Sequence, residues 1–225
     1  MVIPVLEIST YFETQYKCKV KIQNDCSKNL IGLINYSQKG DLFIPDSYQS
    51  LARLSKANPH IITDSLYIGV NQLVFIVKKG NPEGFDGSFL SLNNRNHAVL
   101  LANPETSSLG FETKKLLQES NVYAPVMKNA LALSVDSRGI IPSVINGKAS
   151  VAIDWLSSYQ NNINNTSIDT IGINVNYEFP KVFASILKST RNQRLAYSFL
   201  ATISSGYGSE VFARHGIHKR RTTIF

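Results

Sequence analysis

Apolar positions along this chain fall into two rhythms. Val5, Ile8 and Phe12 recur at the 3,4 spacing that lays one stripe on a helix, which predicts a helix over 5–16. The next segment, KCKVKIQ (17–23), alternates strictly and predicts a strand with its lysines facing water. SKNLIGLI (27–34) reads as a short helix capped by Ser27. GDLFIPDS (40–47) reads as a brief buried strand that stops at Pro45, and SYQSLARL (47–54) as a further helix.

Longer apolar runs follow. QLVFIVKKGNP (72–82) predicts a strand ending in a Gly-Asn-Pro turn, and HAVLLA (97–102) predicts another. ALALSV (130–135) leads into DSRGIIPSVINGK (136–148), a helix with a break at Pro142. ASVAIDW (149–155) is a strand, and SYQNNINNTSID (158–169) a polar surface loop. NYEFPKVFASILK (176–188) is strand-like, and RNQRLAYSFLATI and GSEVFARHG close the chain as helices. Strand and helix alternate almost throughout, which predicts an α/β protein with parallel sheets.

One junction raises a chemical question. In LLANPETSSLGFETKKLLQES (100–120) an apolar strand ends in a turn rich in hydroxyls, and a helix follows. Thr106, Ser107 and Ser108 are ordinary capping residues. The first turn of a helix also carries unpaired N–H groups and partial positive charge, a seat for an anion. The pattern recurs: Ser27, Asp46 with Ser47, Ser107 with Ser108, and Ser137 all fall at helix starts. Three or four charge-assisted hydrogen bonds of about 1.5–3 kcal/mol each, less immobilisation costs, reach roughly micromolar affinity.

Composition narrows the classes. At 225 residues, 43% hydrophobic and 17% charged, the chain suits one large domain or two smaller ones. No run approaches the ~18 apolar residues that span a bilayer. The net charge of +7 favours anionic partners. The basic residues are dispersed, however, and HKRR (218–221) reads as a solvated tail, so no nucleic-acid partner is expected. His60, His97, His215 and His218 show no ligand spacing, so no metal and no cofactor are expected. Cys18 and Cys26 can form a disulfide or stay reduced. No signal peptide is visible in MVIPVLEIST, so the protein is cytosolic or its export signal lies upstream.

Catalytic signatures are lacking. There is no Gly-x-Ser-x-Gly elbow, no phosphate-binding loop and no Gly-x-Gly-x-x-Gly after a strand. Asp46 and Asp154 lie at predicted strand ends and are the one candidate acid–base pair, a weak case for an enzyme.

The motifs GDLFIPDS, LVFIVKKGNP, VLLANPETSSLGFETKKLL, SRGIIPSVINGKASVAIDW and YGSEVFARHGI occur in an order that resembles the periplasmic molybdate-binding proteins, the solute receptors of ABC importers. The resemblance implies a type 2 periplasmic binding fold, with crossing strands joining two α/β lobes that close on an oxyanion in a cleft. The lobes implied are 1–70 with 178–225, and 71–177, with crossings near Asn71 and Tyr177. It further implies a monomer, partnered by the importer's membrane subunits, in the periplasm or outside the cytoplasm.

By motif position, Ser27 matches a hydroxyl donor and Leu109, beside Ser108, a backbone donor. Ser137 matches a backbone donor before Arg138, and Trp155 stands where the family has a tyrosine. Asp46 and Asp154 complete the candidate site. Three departures accompany the match. The family's first strand and its serine donor are missing here, Trp155 offers an indole N–H in place of a hydroxyl, and Asp154 adds negative charge. Other readings are a diverged member that binds another small anion or carboxylate, a colonisation or adhesion factor, or the effector-sensing half of a transcription regulator.

Overall fold

The computed structural model describes residues 1–162, 166–175 and 177–219. The chain opens with α1 (Val2–Tyr16), α2 (Ser27–Ser37), β1 (Leu42–Phe43), α3 (Tyr48–Ala57) and β2 (Ile62–Asn71). Next come β3 (Leu73–Lys78), β4 (Val99–Ala102), α4 (Ser108–Glu119), α5 (Tyr123–Asn129) and β5 (Ala130–Ser134). They are followed by α6 (Ile140–Ile145), β6 (Val151–Trp155), α7 (Leu156–Gln160) and β7 (Ile168–Gly172). The last elements are β8 (Lys181–Leu187), α8 (Gln193–Ser204), α9 (Gly206–Arg214) and β9 (Ile217–His218). The chain forms two compact units, Met1–Asn71 with Pro180–Phe225, and Gln72–Phe179.

In the first unit the stripe on α1 buries Ile8 and Phe12 against Ile68, Val182, Ala184 and Ile186 of the sheet and Phe199 and Phe212 of α8 and α9. The sheet runs β1-β8-β2-β9, and every pairing in it is antiparallel. The expectation of parallel sheets fails here, because β8 enters from the other unit and runs against both of its neighbours. A smaller core gathers Ile34, Phe43, Leu51, Leu54, Ile61 and Leu187. Gly208 explains the small residues of SGYGSEV: a methyl group there would lie 2.3 Å from the Thr202 carbonyl oxygen.

The segment 17–23 is not a strand. Cys18, Val20 and Ile22 turn inward and the lysines outward, as the alternation requires, but the segment joins no sheet among the described residues. The N–H of Val20 instead donates to Glu13 Oε1 at 2.7 Å. Conversely, β2 is a ten-residue strand that the pattern hid. Thr63, Asp64 and Ser65 are all exposed, and register shifts at Ile62/Asp64 and Tyr67/Gly69 break the alternation.

The second unit holds a mixed sheet, β5-β4-β6-β3-β7. Here β4 pairs in parallel with β5 and β6, while β3 is antiparallel to β6 and β7. Leu73 to Val77 are all buried, as a strand covered on both faces demands. Pro142 does not break its helix. It is the third residue of α6, in the first turn, where its missing N–H has no intrahelical partner to lose. The loop expected over 158–169 contains the end of α7 and the start of β7; residues 163–165 lie outside the described residues, as do Asn176, Arg220 and Arg221.

Candidate functional site

Three neighbouring parallel strands, β5, β4 and β6, bring their carboxyl ends to one end of the second unit's sheet. Ligands of α/β proteins gather at such ends. Each strand leads into residues singled out in the sequence: β5 into Ser137 and Arg138, β4 into Ser108 and Leu109, and β6 into Trp155.

The turn after β4 is built by Asn103. Its side-chain oxygen accepts from the N–H of Glu105 at 2.9 Å. Its carbonyl accepts from the Ser107 N–H at 3.1 Å and the Ser107 hydroxyl at 3.2 Å. Ser107 then caps α4 by accepting from the Gly110 N–H at 3.1 Å. Thr106 donates to the Val135 carbonyl at 2.7 Å, which ties this turn to the end of β5. Ser108 and Leu109 are the first helical residues and both are buried. The helix start therefore presents its dipole from a fixed position.

After β5, Asp136 rather than Ser137 is the cap. Its carboxylate accepts from the Arg138 N–H at 2.9 Å and from Nε of the same side chain at 2.9 Å. The Arg138 guanidinium is thus held by its own turn, in an exposed ion pair worth little in stability. Ser137 is half-buried at the start of that short turn.

At the end of β6, Asp154 and Trp155 are both buried. The Asp154 carboxylate accepts from the Trp155 backbone N–H at 2.7 Å. The indole N–H of Trp155 is buried with no acceptor among the described residues. An unsatisfied buried donor costs about 1–3 kcal/mol. Thr113 Oγ1, on the second turn of α4, is likewise buried without a partner among the described residues. Behind the helix start, the Tyr177 hydroxyl donates to Glu112 Oε2 at 3.2 Å. Burial first, and then the Glu112 charge, push the Tyr177 pKa far above its ordinary value, so it stays a donor.

The other two sequence candidates lie in the first unit. Ser27 is not a cap: Cys26 holds that position, and Ser27 is the first residue of α2, half-buried. The Asp46 carbonyl accepts from Asn71 Nδ2 at 3.3 Å. Ser47 is the N-cap of α3, yet its buried hydroxyl makes no cap bond. Asn71 and Thr113 were missed in the sequence, since neither belongs to a motif and only burial sets them apart. Asp46 and Asp154 belong to different units. Cys18 and Cys26 are free thiols, and among the described residues no group of His, Cys, Asp or Glu could hold a metal. No helix of the described residues is long and apolar enough to cross a membrane.

The model of the bacterial extracellular solute-binding proteins matches residues 2–218. The chain belongs to this family. Its members bind solutes rather than transform them, and they work outside the cytoplasm, in the manner of receptors for ABC transporters. Comparison with curated protein sequences gives no match.

Solved structures support the fold. The substrate binding domain of a putative molybdenum ABC transporter from Clostridium difficile superposes with a TM-score of 0.72 at 18% identity, covering 97% of this chain and 94% of that one. The periplasmic molybdate-binding protein of Azotobacter vinelandii gives 0.76 at 14%, covering 97% and 95%. A periplasmic thiamin binding protein gives 0.80 at 13%, covering 96% and 78%. The periplasmic binding fold expected from the sequence is therefore present, while two of these structures are named for molybdenum or molybdate and the third for thiamin.

Proposed function

We propose that this solute-binding protein captures a small oxyanion of the molybdate, tungstate or phosphate kind for an ABC importer. In the second unit, the ligand would meet the start of α4 at Ser108 and Leu109, the Ser137 turn and the Trp155 indole. The observation that carries this reading is the buried indole N–H, without an acceptor among the described residues, at the end of the strand beside the one that feeds α4. Amides, an indole and hydroxyls are neutral donors, suited to an anion whose charge they solvate without neutralising it. The net charge of +7 favours its approach.

Asp154 favours a second reading. A fully buried carboxylate one position before Trp155, at the same strand end, disfavours a dianion and would suit a ligand that also carries a donor or a positive charge, such as a hydroxylated carboxylate or thiamin.

Thermal shift and calorimetry with molybdate, tungstate, sulfate, phosphate, small carboxylates and thiamin separate the two. Stabilisation by an oxyanion, weakened about 10- to 100-fold in Trp155→Phe, is the expected result, since one hydrogen bond to a charged group is worth about 1.5–3 kcal/mol. Stabilisation by thiamin alone would favour the second reading. No response to any anion would end the first.

A further inference from the structure

Among the described residues, three serines stand at helix N-caps, and two of them make the cap bond. Ser107 accepts from the Gly110 N–H at 3.1 Å and Ser205 from the Gly208 N–H at 3.2 Å. Ser47, at the start of the ten-residue α3, accepts from none. Its backbone (φ −151°, ψ 156°) lies close to that of Ser107 (φ −130°, ψ 152°), so the cap bond is sterically open to it and the hydroxyl has turned elsewhere. Ser47 is 0% exposed, and its Oγ has no hydrogen-bond partner among the described residues. A second orphan stands at the same helix start. Asn71, also 0% exposed, donates from Nδ2 to the Asp46 carbonyl at 3.3 Å, the carbonyl of the peptide bond that leads into Ser47. Its Oδ1, the other half of that amide, is buried and unpaired among the described residues. All of these groups belong to the first unit. Buried polar groups are normally paired, and two orphans at one helix start point to a shared guest.

We propose that the start of α3 binds an oxyanion that keeps a hydrogen at neutral pH, of which inorganic phosphate is the simplest member. The N–H groups of Tyr48 and Gln49 lie in the first turn and have no intrahelical acceptor. Together with the Ser47 hydroxyl and the positive end of the helix dipole, they receive the anionic oxygens. Asn71 Oδ1 can only accept, so it requires an O–H on the guest. Phosphate keeps such a hydrogen at neutral pH, whereas sulfate and molybdate keep none. Asp46, one position before the cap, brings a carboxylate to this end of the helix and further disfavours a bare dianion. A buried acceptor left unpaired is how a site rejects an analogue that lacks the matching hydrogen, which makes Asn71 the specificity-determining residue. The proposal concerns the first unit alone and does not rest on the α4 reading.

Amide NMR spectra of the whole chain, titrated with sodium phosphate in a buffer free of other oxyanions, test this. The Tyr48 and Gln49 amides should shift saturably with phosphate, while sulfate and molybdate should need at least about tenfold higher concentrations. Ser47→Ala should weaken phosphate binding about tenfold, read at the same amides, through the loss of one charge-assisted hydrogen bond. Its ligand-free melting temperature should not fall, because Ser47 has no cap bond to lose. A purely structural Ser47 gives the opposite pattern, a lower melting temperature with unchanged affinity, and would overturn the proposal. So would Tyr48 and Gln49 amides that stay still under phosphate, or an equal response to sulfate. A phosphate response confined to Ser108–Gly110 would also overturn it, while leaving the α4 reading intact.

Discussion

Gly110 shows how much one methyl group decides. A Cβ at this position would lie 2.3 Å from the Asn103 carbonyl carbon and oxygen and 2.5 Å from the Pro104 nitrogen. The first turn of α4 packs on the Asn-Pro turn only because the side chain is absent. Gly110→Ala should cost about 1–3 kcal/mol through overpacking, read by urea denaturation. An unchanged midpoint would mean that the turn yields freely. Glu7 is a second such residue. Burial works to raise its pKa, but hydrogen bonds from Arg214 at 2.6 Å and His215 at 3.3 Å outweigh it and hold the pKa below the ordinary value of 4.5. A depressed carboxylate stabilises the fold above its unfolded pKa, and that share is lost as pH falls through the folded value. Wild type should therefore exceed Glu7→Gln in melting temperature at pH 7, with the gap closing below about pH 4. A gap independent of pH would show that the ion pair is not its source. The residues of the α4 start were legible in the sequence because capping chemistry is local. The isolation of the Trp155 indole was not, since it depends on which acceptors the fold leaves out of reach.

Elements were legible where their periodicity met a single core. The stripe on α1 and the apolar run of β3 read directly from the sequence, because each has one burial environment along its length. The segment 17–23 misled because alternation reports which side chains are buried, whereas a strand also needs a neighbour for its backbone. Hydrogen exchange should show the difference: within 18–22 the Val20 amide, bonded to Glu13, should be the most protected, and all five should exchange far faster than β8. Uniform slow exchange across 18–22 would mean that the segment is paired after all. The strand β2 was missed for the opposite reason, since its exposed polar start and its two register shifts conceal a strand whose pairing with β8 is extensive.

At the scale of the molecule, binding a solute adds stability by mass action. A ligand at 100 times its dissociation constant contributes about 2.7 kcal/mol, which for a chain of this size raises the melting temperature by roughly 5–10 °C. The two units have separate cores, so the shift belongs first to the unit that holds the ligand. A thermogram in which a saturating oxyanion moves no transition would count against the proposed site.

By itself the sequence determined the α/β class, the helix starts and the apolar strands, because caps, turns and periodicity depend on residues only a few positions apart. Only the tertiary structure decided the direction of the strands, the unpaired groups at the start of α3 and the lone indole donor. Each of those depends on segments that meet across long stretches of chain, and local preference carries no information about which segments will meet.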